Sequence, residues 1–108
     1  MSNEDAWKLL EEYRREIDDL DVRILQLLNA RTAIVEKIGH VKEEAAMPIY
    51  EPRREDQVFR NVLENNAGPL TPEAVKRLFE RIIDEMRTLQ HIRKLERQAA
   101  ASSGDLVD

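Results

Sequence analysis

Residues 10–41 decide the fold, and they read LEEYRREIDDLDVRILQLLNARTAIVEKIGHV. Apolar residues recur along this stretch at alternating spacings of three and four positions, at Leu10, Tyr13, Ile17, Leu20, Ile24, Leu27, Ile34, Ile38 and Val41. Arg31 stands where this series would continue between Leu27 and Ile34. Because such spacing puts every member on one face of an α-helix, the stretch predicts a long amphipathic helix from about residue 4 to about residue 44.

Prolines bound two shorter helices farther along the chain. Pro48 disfavours helix in the residue before it, and Pro52 suits the first turn of a second helix that reaches about Asn65. Thr71 and Pro72 resemble the N-cap and first residue of a third helix. The expected fold is therefore all-α, with three helices per chain.

The third helix is predicted to fray after Arg97, where the sequence becomes rich in small residues. We expect a helical domain at residues 1–98 and a disordered tail at residues 99–108. No internal repeat is visible, and 108 residues predict one domain.

The length of the first helix predicts a dimer. A helix of 40 residues is about 60 Å long, whereas a compact domain of this size has a radius of gyration of only about 13 Å. The two shorter helices cannot cover the whole apolar face, and a second copy would bury the rest in an intertwined helical homodimer. The alternative is an ordinary three-helix bundle in which the first helix breaks near Arg31 or Gly39.

Composition excludes several classes of function. The chain has no cysteine, which excludes disulfides and thiolate chemistry. Its net charge of −5 argues against nucleic-acid binding. No apolar run approaches the roughly 20 residues that span a bilayer, and the polar N-terminus does not resemble a leader, so we expect a cytoplasmic protein.

Charged residues occupy positions where the pattern predicts apolar ones. Arg31 lies on the apolar face, and a buried guanidinium needs an anionic partner. Lys42 follows eleven residues later, only about 20° around the helix and about 16 Å along it. These two side chains can close on a small anion, although Arg31 could instead pair with a carboxylate of the protein and Lys42 with the helix dipole.

Other polar residues fall on the inner faces of the shorter helices. Gln90 follows Met86 by four residues, and Glu55 precedes Phe59 by four, with Arg54 beside it and Glu51 just before the helix. Structural roles remain open for three of them: Gln90 could be a core amide, Glu55 a first-turn acid and Arg54 a surface charge. Arg14 lies about 25 Å along the helix from Arg31, so within a dimer it could serve only the partner's site.

This set of residues resembles the all-helical chorismate mutases over nearly the whole chain, from about Leu9 to about Gln90. The motifs that carry the resemblance are REIDDLD at 15–21, LLNAR at 27–31, IGHVK at 38–42, PIYEPRRE at 48–55 and LFERII at 78–83. The resemblance implies rearrangement of chorismate to prephenate, on the route to phenylalanine and tyrosine. It implies no metal and no cofactor, since this pericyclic shift needs a dianion held in a compact shape and charge stabilised at the breaking ether oxygen.

The resemblance also implies the roles of the polar residues. Arg31 and Arg54, with Arg14 of the other subunit, would bind the two carboxylates of chorismate. Lys42 and Gln90 would donate to the ether oxygen. Two acids, Glu55 and Glu51, would bind the ring hydroxyl of chorismate.

Two departures and several alternatives stay open. Glu51 stands where the family also has a shorter Asp. Met86 stands where the family often has a small hydroxyl residue near a substrate carboxylate. An isochorismate pyruvate lyase shares the fold, but Glu55 favours the mutase. A non-catalytic dimerisation or regulatory module would carry apolar residues in place of the polar ones. Relatives that are fused to, or bind, neighbouring enzymes make a complex with another aromatic-pathway enzyme a further expectation.

Overall fold

The computed structural model describes residues 1–107, with side chains to residue 103. Three α-helices, α1 (Asn3–Glu44), α2 (Pro52–Glu64) and α3 (Pro72–Val107), follow one another. Between residues 1 and 107 there is no β-strand. The predicted all-α, three-helix fold is confirmed, and the bounds of α1 and α2 agree with the sequence pattern to within one residue.

Helix α1 begins and ends with local hydrogen bonds. The Ser2 hydroxyl accepts a hydrogen bond from the backbone N–H of Asp5 at 3.1 Å, which satisfies a donor of the first turn. At the other end, Ala46 has a positive φ of 54°, and the N–H of Met47 donates to the carbonyl of Lys42 at 2.7 Å. This Schellman-type ending closes the helix before Pro48. Helix α1 runs without a break through Arg31 and Gly39, so the alternative with a broken first helix is wrong.

Helix α3 begins as the sequence predicts but continues farther. The Thr71 hydroxyl accepts from the N–H of Ala74 at 3.2 Å, which confirms the N-cap. The helix includes residues 99–107, where the sequence predicted a disordered tail. Three alanines, at 99–101, have the highest helix propensity of any residue type, and the helix meets no proline there. Asp108 lies outside the described residues, and the boundary between domain and tail stays a prediction.

The chain divides into two compact units, Met1–Ile34 and Val35–Asp108. In the second unit α2 packs against α3, and three apolar side chains of α3 are buried, those of Val75, Ile83 and Met86. In the first unit most large apolar side chains of α1 are exposed, from 36% for Leu9 to 71% for Leu27, and Leu28 is half-buried.

Candidate active site

Lys42 is the buried charge of the second unit. The residue is only 8% exposed, at the last turn of α1. Its Nζ lies 2.8 Å from Oε1 of Glu51 and donates to the carbonyl of Ile49 at 3.0 Å. A buried ammonium is tolerated only when it is paired and hydrogen-bonded, and the segment between α1 and α2 supplies both partners.

Glu51 is the more accessible partner of this pair, with a side chain that is 47% exposed. The hydrogen bond from Lys42 and the positive charge of that residue lower the pKa of the Glu51 carboxyl below its ordinary value of 4.5, and Arg54 adds a smaller effect in the same direction. Glu51 is therefore a carboxylate at neutral pH. The structure thus brings together two of the residues predicted for the site, one cation and one anion.

Gln90 lies where α3 passes close to the last turns of α1. Gly39 is buried, and a Cβ atom at Gly39 would lie 3.8 Å from Cγ of Gln90. A methyl group there would just touch Gln90, but a larger side chain would have to displace it. Gly39 therefore leaves the half-buried amide of Gln90 room beside α1 within the second unit.

Glu55 is held by a residue that the sequence analysis missed, Arg87 of α3. Nη2 of Arg87 lies 2.5 Å from Oε1 of Glu55, and both side chains are part-buried. The Arg87 guanidinium also lies over the ring of Tyr50, 4.9 Å from its centroid. Arg87 follows Ile83 by four residues, so the spacing argument that selected Gln90 could also have selected Arg87.

An open cavity of about 420 Å³ adjoins this pair. Its walls come from the segment before α2, from α2 and from α3, and its lining residues are Tyr50, Glu55, Phe59, Glu80, Ile83, Asp84 and Arg87. Of the residues predicted for the site, this cavity contains Glu55. Lys42 and Gln90 do not line it.

The remaining predicted residues of the second unit differ in exposure. Arg54 is exposed in the first turn of α2, and its Nη1 lies 3.5 Å from Oε1 of Gln57. An exposed guanidinium at this position is accessible to a carboxylate ligand. Met86 is buried with the apolar residues of α3.

Arg14 and Arg31 belong to the first unit. Arg14 is exposed, and its guanidinium lies over the ring of Trp7, 5.8 Å from the centroid. Arg31 is half-buried within α1. The two arginines are 17 positions apart on one continuous helix, and their meeting at one ligand through a second chain stays a prediction.

The described residues show neither a metal-binding cluster nor a membrane-crossing helix. They contain no group of three or more His, Cys, Asp or Glu side chains placed to hold a metal ion. None of their helices combines the length and the apolar character that crossing a membrane requires.

Comparison with known proteins identifies the family. The family model described as chorismate mutase type II matches residues 13–91, a range that contains every candidate site residue. The chain belongs to the chorismate mutase type II family. The match ends one residue after Gln90 and leaves out most of the final turns of α3.

Solved and curated relatives agree with this assignment. A chorismate mutase from Thermus thermophilus is similar over 76% of this chain and 93% of its own, with a TM-score of 0.74 and 30% identity. The bifunctional chorismate mutase/prephenate dehydratases of Aquifex aeolicus (strain VF5) and Neisseria gonorrhoeae (strain ATCC 700825 / FA 1090) are 36% and 41% identical over 75% and 72% of this chain. This chain spans 24% and 21% of their lengths, so it matches about a quarter of each.

Proposed function

We propose that the protein is a chorismate mutase, an isomerase that converts chorismate to prephenate in the biosynthesis of phenylalanine and tyrosine. The observation that carries this proposal is the buried Lys42 ammonium beside Glu51, in a chain of the chorismate mutase type II family. In the reaction one ether C–O bond breaks while one C–C bond forms within the same molecule. No proton, electron or group is exchanged with the protein, so catalysis consists of holding and stabilising the reacting shape.

Lys42 supplies the charge that this reaction needs. Negative charge grows on the ether oxygen as the C–O bond stretches, and a donor that is already in place stabilises the transition state more than the ground state. The Lys42 ammonium has three hydrogens, and Ile49 and Glu51 accept from it. A third hydrogen can therefore point to the substrate. Gln90 would donate to the same oxygen from α3.

The arginines would bind the two carboxylates of chorismate. Arg31 and Arg54 of one chain and Arg14 of a second chain are proposed for this role, since a guanidinium can bind a carboxylate through two parallel hydrogen bonds. Glu55, with Glu51, would accept the hydrogen bond of the ring hydroxyl. Met86 has no donor in its side chain, so any contact with a carboxylate there would use the backbone.

The working unit is proposed to be a homodimer with two shared sites. The apolar face of α1 in the first unit is exposed, with Ile17 and Ile24 each at 54% and Leu27 at 71%. An apolar stripe of this extent is rare on a monomer, and burying it stabilises association by about 25 cal/mol per Å². The same helix carries Arg14, so pairing two copies of α1 would bring an arginine of one chain toward the other.

Two further expectations belong to this proposal. The relatives that join chorismate mutase to prephenate dehydratase in one chain support a working association with another enzyme of the aromatic pathway. A cytoplasmic location fits a biosynthetic enzyme with a small anionic substrate.

The test is to mix the purified protein with chorismate, follow the loss of absorbance and identify the product by chromatography. Prephenate formed well above the uncatalysed rate supports the proposal, and the rate should fall with Lys42→Ala. Inert chorismate with release of pyruvate from isochorismate would support the lyase instead. If neither compound reacts, the enzyme proposal is wrong and a helical dimerisation or regulatory module remains.

A further inference from the structure

Arg87 of α3 is held in one position by three groups from different parts of the second unit. Its Nη2 lies 2.5 Å from Oε1 of Glu55 in α2. Its Nη1 lies 3.7 Å from Oδ1 of Asp84, and its guanidinium stacks on Tyr50 at 4.9 Å from the ring centroid. A guanidinium with these contacts has lost much of the freedom of a surface arginine.

The contact with Glu55 leaves that carboxylate able to bind a ligand. A carboxylate has two oxygens and about four acceptor positions, and Arg87 uses Oε1. An ionised Glu55 can therefore accept a second hydrogen bond, such as that of a ring hydroxyl. The salt bridge also limits rotation of the carboxylate, because turning it would break a short, charge-assisted hydrogen bond.

The charge balance of the proposed site also favours such a pair. The proposed substrate carries two negative charges, yet two of the residues proposed to contact it, Glu51 and Glu55, are acids. Lys42 balances Glu51 at 2.8 Å, and Arg87 balances Glu55 at 2.5 Å. Without Arg87, the charge of Glu55 would repel the incoming dianion, and at close range this repulsion is only partly screened.

We infer that Arg87 is a positioning residue for Glu55, which orients its carboxylate toward the substrate hydroxyl and neutralises its charge. This inference rests on the proposed function. Arg87 does not touch the reacting atoms in this scheme, so it acts only through Glu55.

The test measures kcat and KM for chorismate in the full chain with Arg87→Gln, Arg87→Lys and Glu55→Gln, and with the double variant Arg87→Gln/Glu55→Gln. Arg81→Gln is the matched control, since Arg81 lies on the same helix and pairs with Glu85 at 2.8 Å, but with its side chain 78% exposed. We expect Arg87→Gln to raise KM by about tenfold, as the loss of one charge-assisted hydrogen bond does. Arg87→Lys should recover part of this loss, and Arg81→Gln should match the unchanged protein.

The double variant separates action through Glu55 from a general effect. If Arg87 acts through Glu55, Arg87→Gln should add little to the loss already caused by Glu55→Gln. Full additivity, an unchanged KM in Arg87→Gln, or loss of helicity in both Arg87 variants would overturn the inference while the function stood. If the unchanged protein and Arg81→Gln both fail to convert chorismate, the proposed function falls and the role of Arg87 falls with it.

Discussion

The two units, residues 1–34 and residues 35–108, differ in the sequence separation of their ion pairs and in the burial of their apolar side chains. The first unit is one stretch of helix whose salt bridge is local, between Glu11 and Arg15 four residues apart, with both side chains at least 67% exposed. In the second unit, ion pairs join residues far apart in sequence, such as Glu36 with Arg93 and Glu55 with Arg87. Three apolar side chains of its helix α3 are buried, although others, such as Leu95 at 65%, remain exposed.

This difference shows which interactions stabilise each unit. Local propensity and pairs four residues apart contribute only a few tenths of a kcal/mol each, and most helical stability in proteins comes from packing of the apolar face. The second unit has part of that packing within one chain, where α2 lies against α3. The first unit presents an exposed apolar face instead, and the proposed second copy would supply the missing contacts.

The largest expected effect comes from a charge on the exposed face of the first unit. Ile24→Asp should abolish the dimer and with it nearly all turnover, since an aspartate cannot be buried without a partner. Sedimentation at equilibrium and chorismate kinetics measure the two losses. Val22→Asp is the control, because Val22 is 53% exposed against 54% for Ile24 but lies off the apolar series. A dimer that tolerates Ile24→Asp would show that this face is not the interface.

Removing the buried charge of the second unit should have the next largest effect. Lys42→Ala should lower kcat by about 10²–10³-fold, the range found when one donor to a developing charge is removed. Lys37→Ala is the control, since Lys37 is an exposed lysine of the same helix. Circular dichroism should show helices in both variants. Near-normal turnover in Lys42→Ala would mean that Lys42 only anchors the segment around Glu51.

The amide of Gln90 offers a test through pH. In Gln90→Glu only the protonated acid can donate to the ether oxygen, so activity should be present at acid pH and fall as the pH rises through the glutamate pKa, ordinarily about 4.3. The unchanged protein should not show this loss. The measurement is a profile of kcat/KM against pH, and a profile with the same shape for both proteins would remove Gln90 from the proposed role.

Mixed dimers would test whether the first units of two subunits contribute to one site. Arg14→Ala and Arg31→Ala should each be inactive alone, but a heterodimer has one site with both arginines and one site with neither. Random mixing should therefore restore about a quarter of the activity, since half of the dimers carry one intact site in two. Native mass spectrometry confirms that heterodimers form. Demonstrated heterodimers without activity would contradict a site shared between subunits.

Helices and helix ends that depend on residues close together in the sequence could be predicted well. The three-and-four spacing of α1 and the Thr71–Pro72 start of α3 are local signals, and the structure confirms both. The spacing along α3 could have placed Arg87 on the inner face, but its partner Glu55 lies 32 positions away, and no local pattern shows which acid a helix will meet. The small residues at 99–107 suggested a tail, whereas the alanines among them continue a helix that is already formed. The extent of the domain stays a prediction.

The smallest expected effect compares one salt bridge from each unit. Arg97 of α3 pairs with Glu43 of α1, and both side chains are about one-third exposed or less, whereas Arg15 pairs with Glu11 on a single exposed helix. Arg97→Gln should lower the free energy of unfolding by about 1 kcal/mol, and Arg15→Gln should cause no measurable change, because exposed pairs contribute little. Urea denaturation measures both changes. It is carried out at one protein concentration, above the dissociation constant of the dimer. Equal losses would mean that the first unit is packed in solution as firmly as the second, so that Arg15 lies within an interface rather than on an open helix.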